Sequence, residues 1–203
     1  MVTRLAPRRR KQLVEVRRRA QGGQGLLEIL FAVLDLVGFF DLYEAATNAL
    51  TPGIRPLNNA ERHLLRPIFG DSVPWDLIRL DERAWIGPRW GNFCYVSFHT
   101  INSWGPMADH VLVHEVVHVW QYTRRGAAYI PRALAAQNSA MGYDYGGLEP
   151  LRNNNRLEDF NYEQQADIIE DAYRIVNGYR AQWHGLGAEV LPYYYPYLRE
   201  VRE

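Results

Sequence analysis

The sequence predicts a mainly helical α+β fold with one small sheet. Several stretches of the 203-residue chain repeat apolar residues at the spacing of a helix face. Between them, the runs at residues 77–80 and 93–98 are rich in strand-favouring residues and are separated by glycine and proline. The length suits one catalytic-size domain, so we expect an N-terminal helical extension at residues 1–50 and a main domain at residues 51–203.

The N-terminal extension is predicted to form a basic helix at residues 7–20 and an apolar helix at residues 25–48, which Thr51-Pro52-Gly53 ends. The whole chain has 23 basic and 23 acidic residues, and this zero net charge gives no reason to expect a nucleic-acid partner. The local basic excess is a candidate for contact with phosphate, a membrane surface or an acidic partner. A solvated helical tail is the simpler interpretation.

The apolar run from Leu26 to Phe40 is shorter than the about 18 residues that a membrane span needs. It also contains Glu28 and Asp35, so we predict a buried helix and no transmembrane segment. No small-residue cleavage site follows the run, which argues against a standard signal peptide. Cys94 is the only cysteine and excludes an intrachain disulfide, as is typical of a protein that folds in a cytoplasm.

The main domain is expected to contain a short helix, the sheet, a central helix and a final helix. The predicted bounds are 60–68 for the short helix, 106–125 for the central helix, about 133–140 for a further short helix and 157–176 for the final helix. The chain from residue 127 to residue 155 is otherwise predicted to be a long connection. The tyrosine- and proline-rich tail at residues 192–197 is predicted to be extended.

The central helix carries an H-E-x-x-H pattern formed by His114, Glu115 and His118. Residues four apart on a helix lie about 6 Å apart on one face, so both imidazoles can bind the same metal ion. Zn²⁺ is the metal that two neutral imidazoles suit best. Glu115 is rotated away from the metal and is predicted to act as the general base on a zinc-bound water.

The residues around this motif are almost all apolar, from Val111 to Trp120. A helix that is apolar nearly all round is buried, and polar groups buried on it are costly unless something pairs with them. A metal ion would be that partner. His110, one turn earlier, is more simply a residue at the helix start than a member of the cleft.

A catalytic zinc site needs a third protein ligand. The metzincin pattern would place histidine at position 124 and glycine at position 121, where this chain has Arg124 and Gln121. The alternative is a glutamate on a second helix, and we predict Glu163 as the ligand with Asp167 orienting one of the imidazoles. Tyr143, Tyr145 and His184 are candidates for the donor that stabilises an oxyanion, and spacing does not choose among them. The loop around Tyr143 is expected to be a lid.

Four segments resemble a known group of proteins over about residues 56–178. They run from Ala60 to Val73, from Leu77 to Leu80, from His114 to Gln121 and from Tyr162 to Asp167. The group is the gluzincin-type zinc metallopeptidases found beside Rhs and Vgr components of type VI secretion, which are similar to the core peptidase-like domain of extracellular contractile injection systems. The resemblance implies a zincin-like domain in which His114, His118 and Glu163 bind zinc and Glu115 is the base.

The leading hypothesis is therefore a zinc endopeptidase that acts on a peptide or protein substrate. The resemblance implies a bacterial cytoplasm as the place of synthesis, export by a specialised secretion or injection system, and a role as an effector, a processing protease or an accessory. Its partners would then be components of that apparatus or a cognate inhibitor. Two alternatives are a non-catalytic, zinc-stabilised interaction module and a protein whose N-terminal helices act on a membrane.

Overall fold

The computed structural model describes residues 2–19, 22–84, 94–137 and 142–203, and it confirms a mainly helical α+β architecture with a small sheet. The N-terminal region forms α1 (Val2–Arg19), α2 (Gly22–Leu36) and α3 (Phe39–Leu50). The strands are β1 (Arg55–Pro56), β2 (Arg79–Asp81), β3 (Tyr95–Ser97) and β4 (Thr100–Asn102). The later helices are α4 (Asn59–Phe69), α5 (Asp109–Arg125), α6 (Tyr129–Gln137), α7 (Leu148–Asn153), α8 (Tyr162–Val176) and α9 (Tyr195–Arg202).

The sheet is mixed and has the strand order β1-β2-β4-β3. Strand β2 pairs in parallel with β4, whereas β1 and β3 pair in antiparallel fashion with their neighbours. Leu80 and Val96 lie opposite Ile101 from its two sides, and Leu80 and Ile101 are buried. Within the described part of the chain, β3 is therefore an edge strand that can pair with a further extended segment.

The two helices that carry the predicted site residues, α5 and α8, pack against each other at the centre of the main core. Helix α5 is buried without a break from Leu112 to Tyr122. Helix α8 begins at a capping box, in which the Asn161 side chain accepts hydrogen bonds from the first turn and the Gln164 side chain accepts one from the backbone N–H of Asn161. This cap fixes the start of α8 and so places Glu163 in its first buried turn.

The two acids of α2 hold the N-terminal helices to each other and to the body. Glu28 on α2 accepts a hydrogen bond of 2.6 Å from Arg132. Asp35 lies 3.2 Å from Nε of Arg9 and accepts a hydrogen bond from the backbone N–H of Ala127. Both acids of α2 therefore face inward, and none of the helices that the structure describes is long and apolar enough to cross a bilayer.

Several predicted elements differ from the structure. The apolar helix predicted at residues 25–48 is two helices, because Gly38 adopts a left-handed conformation with φ of 75°. The tail predicted to be extended is a 3₁₀-helix at Ala188–Tyr193 followed by α9. Pro196 lies in the first turn of α9, where its missing N–H breaks no hydrogen bond, so the prediction was wrong.

The remaining differences concern where elements begin. The final helix starts at Tyr162 instead of Leu157, after a separate 3₁₀-turn at Leu157–Asp159. The short helix predicted at about 133–140 corresponds to α6, which begins at Tyr129, and the rest of the predicted connection contains α7. The end of the helix predicted at 133–140, and the beginning of the strand run at 93–98, lie outside the described residues.

Candidate metal centre

The three predicted ligands come together at the α5–α8 interface, and all three side chains are almost fully buried. Oε2 of Glu163 lies 3.5 Å from Nε2 of His114 and 3.3 Å from Nε2 of His118. The two histidines lie on successive turns of α5, so the same helix face supplies both rings. The structure thus gathers two imidazole nitrogens and one carboxylate oxygen around one point, and this group can hold a metal ion.

Two of the three spacings among these atoms suit a tetrahedral metal site. Zn–N bonds of about 2.0–2.1 Å imply ligand-to-ligand distances of about 3.3 Å at the edges of a tetrahedron. The two separations from the Glu163 oxygen are close to that value. Two imidazoles and one carboxylate also match the donor set of catalytic zinc sites, which keep the fourth position for water or substrate.

Carboxylates on α8 hold the ring of His114 from its other side. Nδ1 of His114 lies 2.9 Å from Asp167 and 3.1 Å from Glu170. Asp167 also accepts a hydrogen bond from the indole N–H of Trp183, which fixes the carboxylate itself. His114, Asp167 and Glu170 lie close enough together to form a second potential metal group, but with one imidazole its donor set is poorer. We interpret these two acids as groups that orient His114.

His118 is oriented by a chain of amides. Its Nδ1 lies 2.8 Å from Oε1 of Gln121, which can only accept, so Nδ1 carries a proton and, in the neutral ring, Nε2 keeps its lone pair for a metal. The amide nitrogen of Gln121 donates to the carbonyl of Tyr162 and to Gln165, and Gln165 in turn donates to the carbonyl of Phe160. Every member is fixed by the next, as expected for groups that support a metal ligand.

The charges of the site depend on one another. Burial raises the pKa of Glu163, but His118 and His114 outweigh it and hold that pKa far below the usual range. Burial lowers the pKa of His114, but hydrogen bonds to Asp167, Glu163 and Glu170 raise it well above the usual value. In the metal-free protein the positive charge of the imidazolium therefore balances the negative charge of the carboxylates. A divalent cation can replace the proton as the source of that positive charge.

Glu115 is buried beside these ligands and lines the same cleft. Burial raises its pKa, and the nearby His118 and His114 oppose the shift. Its Oε2 atom accepts no hydrogen bond from any residue that the structure describes. A buried carboxylate oxygen without a donor costs free energy, which suggests that it is arranged for a bound molecule.

The ligands open into a cleft of about 740 Å³. One side is the edge strand β3 with Phe98, and another is the start of α6 with Tyr129, Ile130 and Ala133. The N-terminal helices supply an aromatic wall of the cleft, which consists of Phe31, Phe39, Phe40 and Tyr43. The extension therefore contributes directly to the walls of the cleft.

Only one of the three candidate oxyanion donors lies in this cleft. The ring of Tyr143 is 6.1 Å from that of His114, and burial and then Glu163 raise its pKa to about 12. Tyr145 is buried elsewhere and donates to Asp171, while His184 pairs with Asp144 near the surface. The four residues at 138–141, which form part of the predicted lid, lie outside the described residues.

Sequence reasoning missed two residues of the site, Glu170 and Gln121. Glu170 was assigned no role, although it lies one helix turn beyond Asp167 and also accepts a contact of 2.8 Å from His110. His110 is partly exposed at the outer end of this network. Gln121 was used only as evidence against the metzincin class. It lies three residues after His118, and residues at that spacing on a helix can contact each other.

The class defined by the fold and the site is a mainly helical α+β protein with a buried group that can hold a metal ion. The chain is 27% identical over 135 residues to the type VI secretion system spike protein VgrG2b of Pseudomonas aeruginosa. The match covers 59% of this chain but 13% of the spike protein, so the chain spans a small part of that relative's length. No protein-family profile and no solved structure matches it.

Proposed function

We propose that the protein is a zinc-dependent metallopeptidase. The observation that carries the proposal is the convergence of His114, His118 and Glu163, with the remaining imidazole nitrogens held by Asp167 and Gln121. Two imidazoles favour zinc over magnesium or calcium, which prefer oxygen ligands. The oxygen of Glu115 in the same cleft supplies the base that hydrolysis requires.

Glu115 would carry the proton of the reaction. Zinc, when bound, supplies a Lewis acid that polarises a carbonyl and lowers the pKa of a water to about 7. The carboxylate of Glu115 accepts a proton as water attacks the scissile carbonyl, and it then donates that proton to the departing amine. Its raised pKa, caused by burial, keeps its proton affinity closer to neutral pH than that of an exposed glutamate.

The walls of the cleft fit an extended peptide. Strand β3 lies at the edge of the described sheet and lines the cleft, so a polypeptide substrate can add a strand beside it. The aromatic wall formed by Phe31, Phe39 and Phe40 then favours apolar side chains near the scissile bond. Tyr143 is the donor placed to stabilise the developing oxyanion.

The biological setting follows from the similarity to a spike protein. A protein that resembles part of VgrG2b is expected to work with a type VI secretion apparatus. We infer that it is made in a bacterial cytoplasm and exported through that apparatus as an effector or accessory. Its partners would be the apparatus, a polypeptide substrate and a cognate inhibitor.

The test is the substitution Glu115→Gln in the full chain. We expect the variant to retain one zinc per chain and to lose hydrolysis of an unfolded protein substrate by about 10²–10⁴-fold, because only the base is removed. Glu149→Gln is the matched control, since Glu149 is an exposed glutamate on α7. It should keep both zinc and activity.

Two outcomes would contradict the proposal. Full hydrolysis by Glu115→Gln would remove Glu115 from the reaction. Wild-type protein that holds zinc, cleaves no polypeptide and unfolds on chelation would instead identify a zinc-stabilised interaction module.

A further inference from the structure

Helix α2 has its charged residues inside and its apolar residues outside. Glu28 and Asp35 are buried, with 6% and 3% of their surface exposed. The outward face carries Leu26, Leu30 and Val33, which are 70%, 51% and 40% exposed. Val37, directly after the helix and 72% exposed, continues the four-three-four spacing of this stripe, and its N–H still bonds the carbonyl of Val33. We call these four residues the apolar stripe.

The stripe does not end with α2. Leu42, in the first turn of α3, is 72% exposed. Single exposed apolar residues are ordinary on protein surfaces, but a contiguous row of this length marks an interaction surface. The burial of Glu28 and Asp35, the acids of α2, leaves the outward face of the helix without a negative charge.

Helix α1 presents a basic face on the same side of the molecule. Arg10, Lys11, Arg17 and Arg18 are exposed and surround the exposed Val14. Both helices bury their opposite faces against residues 124–132. Gln12 of α1 donates to the carbonyl of Arg124, Val16 packs with Ala32 and Ala128, and Glu28 of α2 pairs with Arg132. Their outward faces therefore form one surface that is apolar along α2 and basic along α1.

We propose that this surface binds an anionic lipid bilayer, with the apolar stripe inserted at the level of the headgroups and the basic face of α1 against lipid phosphates. An amphipathic element with apolar and basic components is the type of structure that lies in a membrane interface. Basic residues near the surface add electrostatic attraction to anionic lipids. A second copy of the chain fits less well, because symmetric pairing would bring two basic faces together. The helix lies on the membrane and does not cross it, in agreement with its length.

The test uses the purified full chain with vesicles of phosphatidylcholine alone and of phosphatidylcholine mixed with phosphatidylglycerol. We expect the wild type to bind the anionic vesicles at least about tenfold more strongly, because α1 adds attraction only there. Val37→Asp should weaken that binding by about tenfold or more, since it places a charge in the inserted stripe. Arg17→Glu combined with Arg18→Glu should abolish the preference for anionic vesicles.

Val176→Asp is the matched control, because Val176 is a valine at the end of α8 with 60% exposure. It should bind vesicles like the wild type. Binding that ignores lipid charge, or that survives Val37→Asp, would overturn the proposal. So would a wild-type dimer in size-exclusion chromatography that Val37→Asp dissociates, without any vesicle binding, because the stripe would then be covered by a second copy. None of these readouts depends on zinc or on hydrolysis.

Discussion

Helices α2 and α8 both bury carboxylates, but the partners differ. The acids of α2 meet arginines: Glu28 pairs with Arg132, and Asp35 pairs with Arg9, which also binds the exposed Asp41. Three acids of α8 meet imidazoles instead, and one of them, Glu163, lies between two imidazoles. Arginine is always charged and cannot bind a metal, so its ion pairs with these acids serve only to fix one helix on another. Imidazole can lose its proton and bind a metal, so the residue type of the partner separates a docking contact from a potential ligand site.

The largest effect is expected from removing a ligand. His118→Ala should lower zinc affinity on the order of a thousandfold and abolish hydrolysis, because one of three protein ligands is lost. Titration with a chromophoric chelator measures the affinity. His63→Ala is the control, since His63 is exposed on α4. Equal affinities for the two variants would show that the ion binds elsewhere.

The contact between Asp35 of α2 and Arg9 should contribute to the free energy of unfolding and not to the affinity for zinc. Asp35→Ala is expected to lower the free energy of unfolding by about 3 kcal/mol, because Arg9 is then left buried without its inward partner. Asp41→Ala removes the exposed partner of the same arginine and should cost about 1 kcal/mol or less. Denaturant titration compares the two. A loss of zinc by Asp35→Ala with no loss of stability would contradict the division between a structural contact on α2 and a metal site on α5 and α8.

A smaller effect is expected from the amide chain behind His118. Gln121→Ala should weaken zinc binding by about 10–100-fold, because the ring loses the acceptor that fixes its tautomer. Gln121→Glu keeps an acceptor at that position and should recover part of the loss, whereas Gln182→Ala, at an exposed site, should have no effect. Isothermal titration calorimetry measures the affinities. Equal losses in Gln121→Ala and Gln121→Glu would argue against an orienting role.

A change of similar size is expected from a change of pH. Although burial opposes it, Asp167, Glu163 and Glu170 raise the pKa of His114, so zinc must displace a proton there. Affinity should therefore rise with pH below that raised pKa, by about tenfold per pH unit for each proton released. Titrations between about pH 6 and 8 measure the slope. An affinity that is constant over this range would show that the site binds zinc without losing a proton.

The sequence predicted what depends on local spacing. The H-E-x-x-H pattern determined which helix face carries His114 and His118, and the apolar residues around it predicted that α5 is buried. Glu163 and Asp167 were found because one helical turn separates them and a metal needs a third ligand. The mainly helical α+β class followed from the same periodicities.

What the sequence did not predict depends on distant partners. Helix α2 was expected to be buried because it is apolar, yet Leu26, Leu27 and Leu30 are exposed and its acids face inward. Arg9 and Arg132, which lie far from those acids in sequence, determine this orientation. The support that Glu170 gives to His114 likewise appears only when α5 and α8 are packed together. Pro196 suggested an extended tail because proline more often ends helices than begins them.

The most direct measurement is a crystal structure of the full chain grown with zinc, with anomalous diffraction collected on both sides of the zinc absorption edge. The account predicts one anomalous peak within about 2.0–2.2 Å of Nε2 of His114, Nε2 of His118 and the carboxylate of Glu163. A peak bound instead by His114 Nδ1, Asp167 and Glu170, or no peak between α5 and α8, would contradict it.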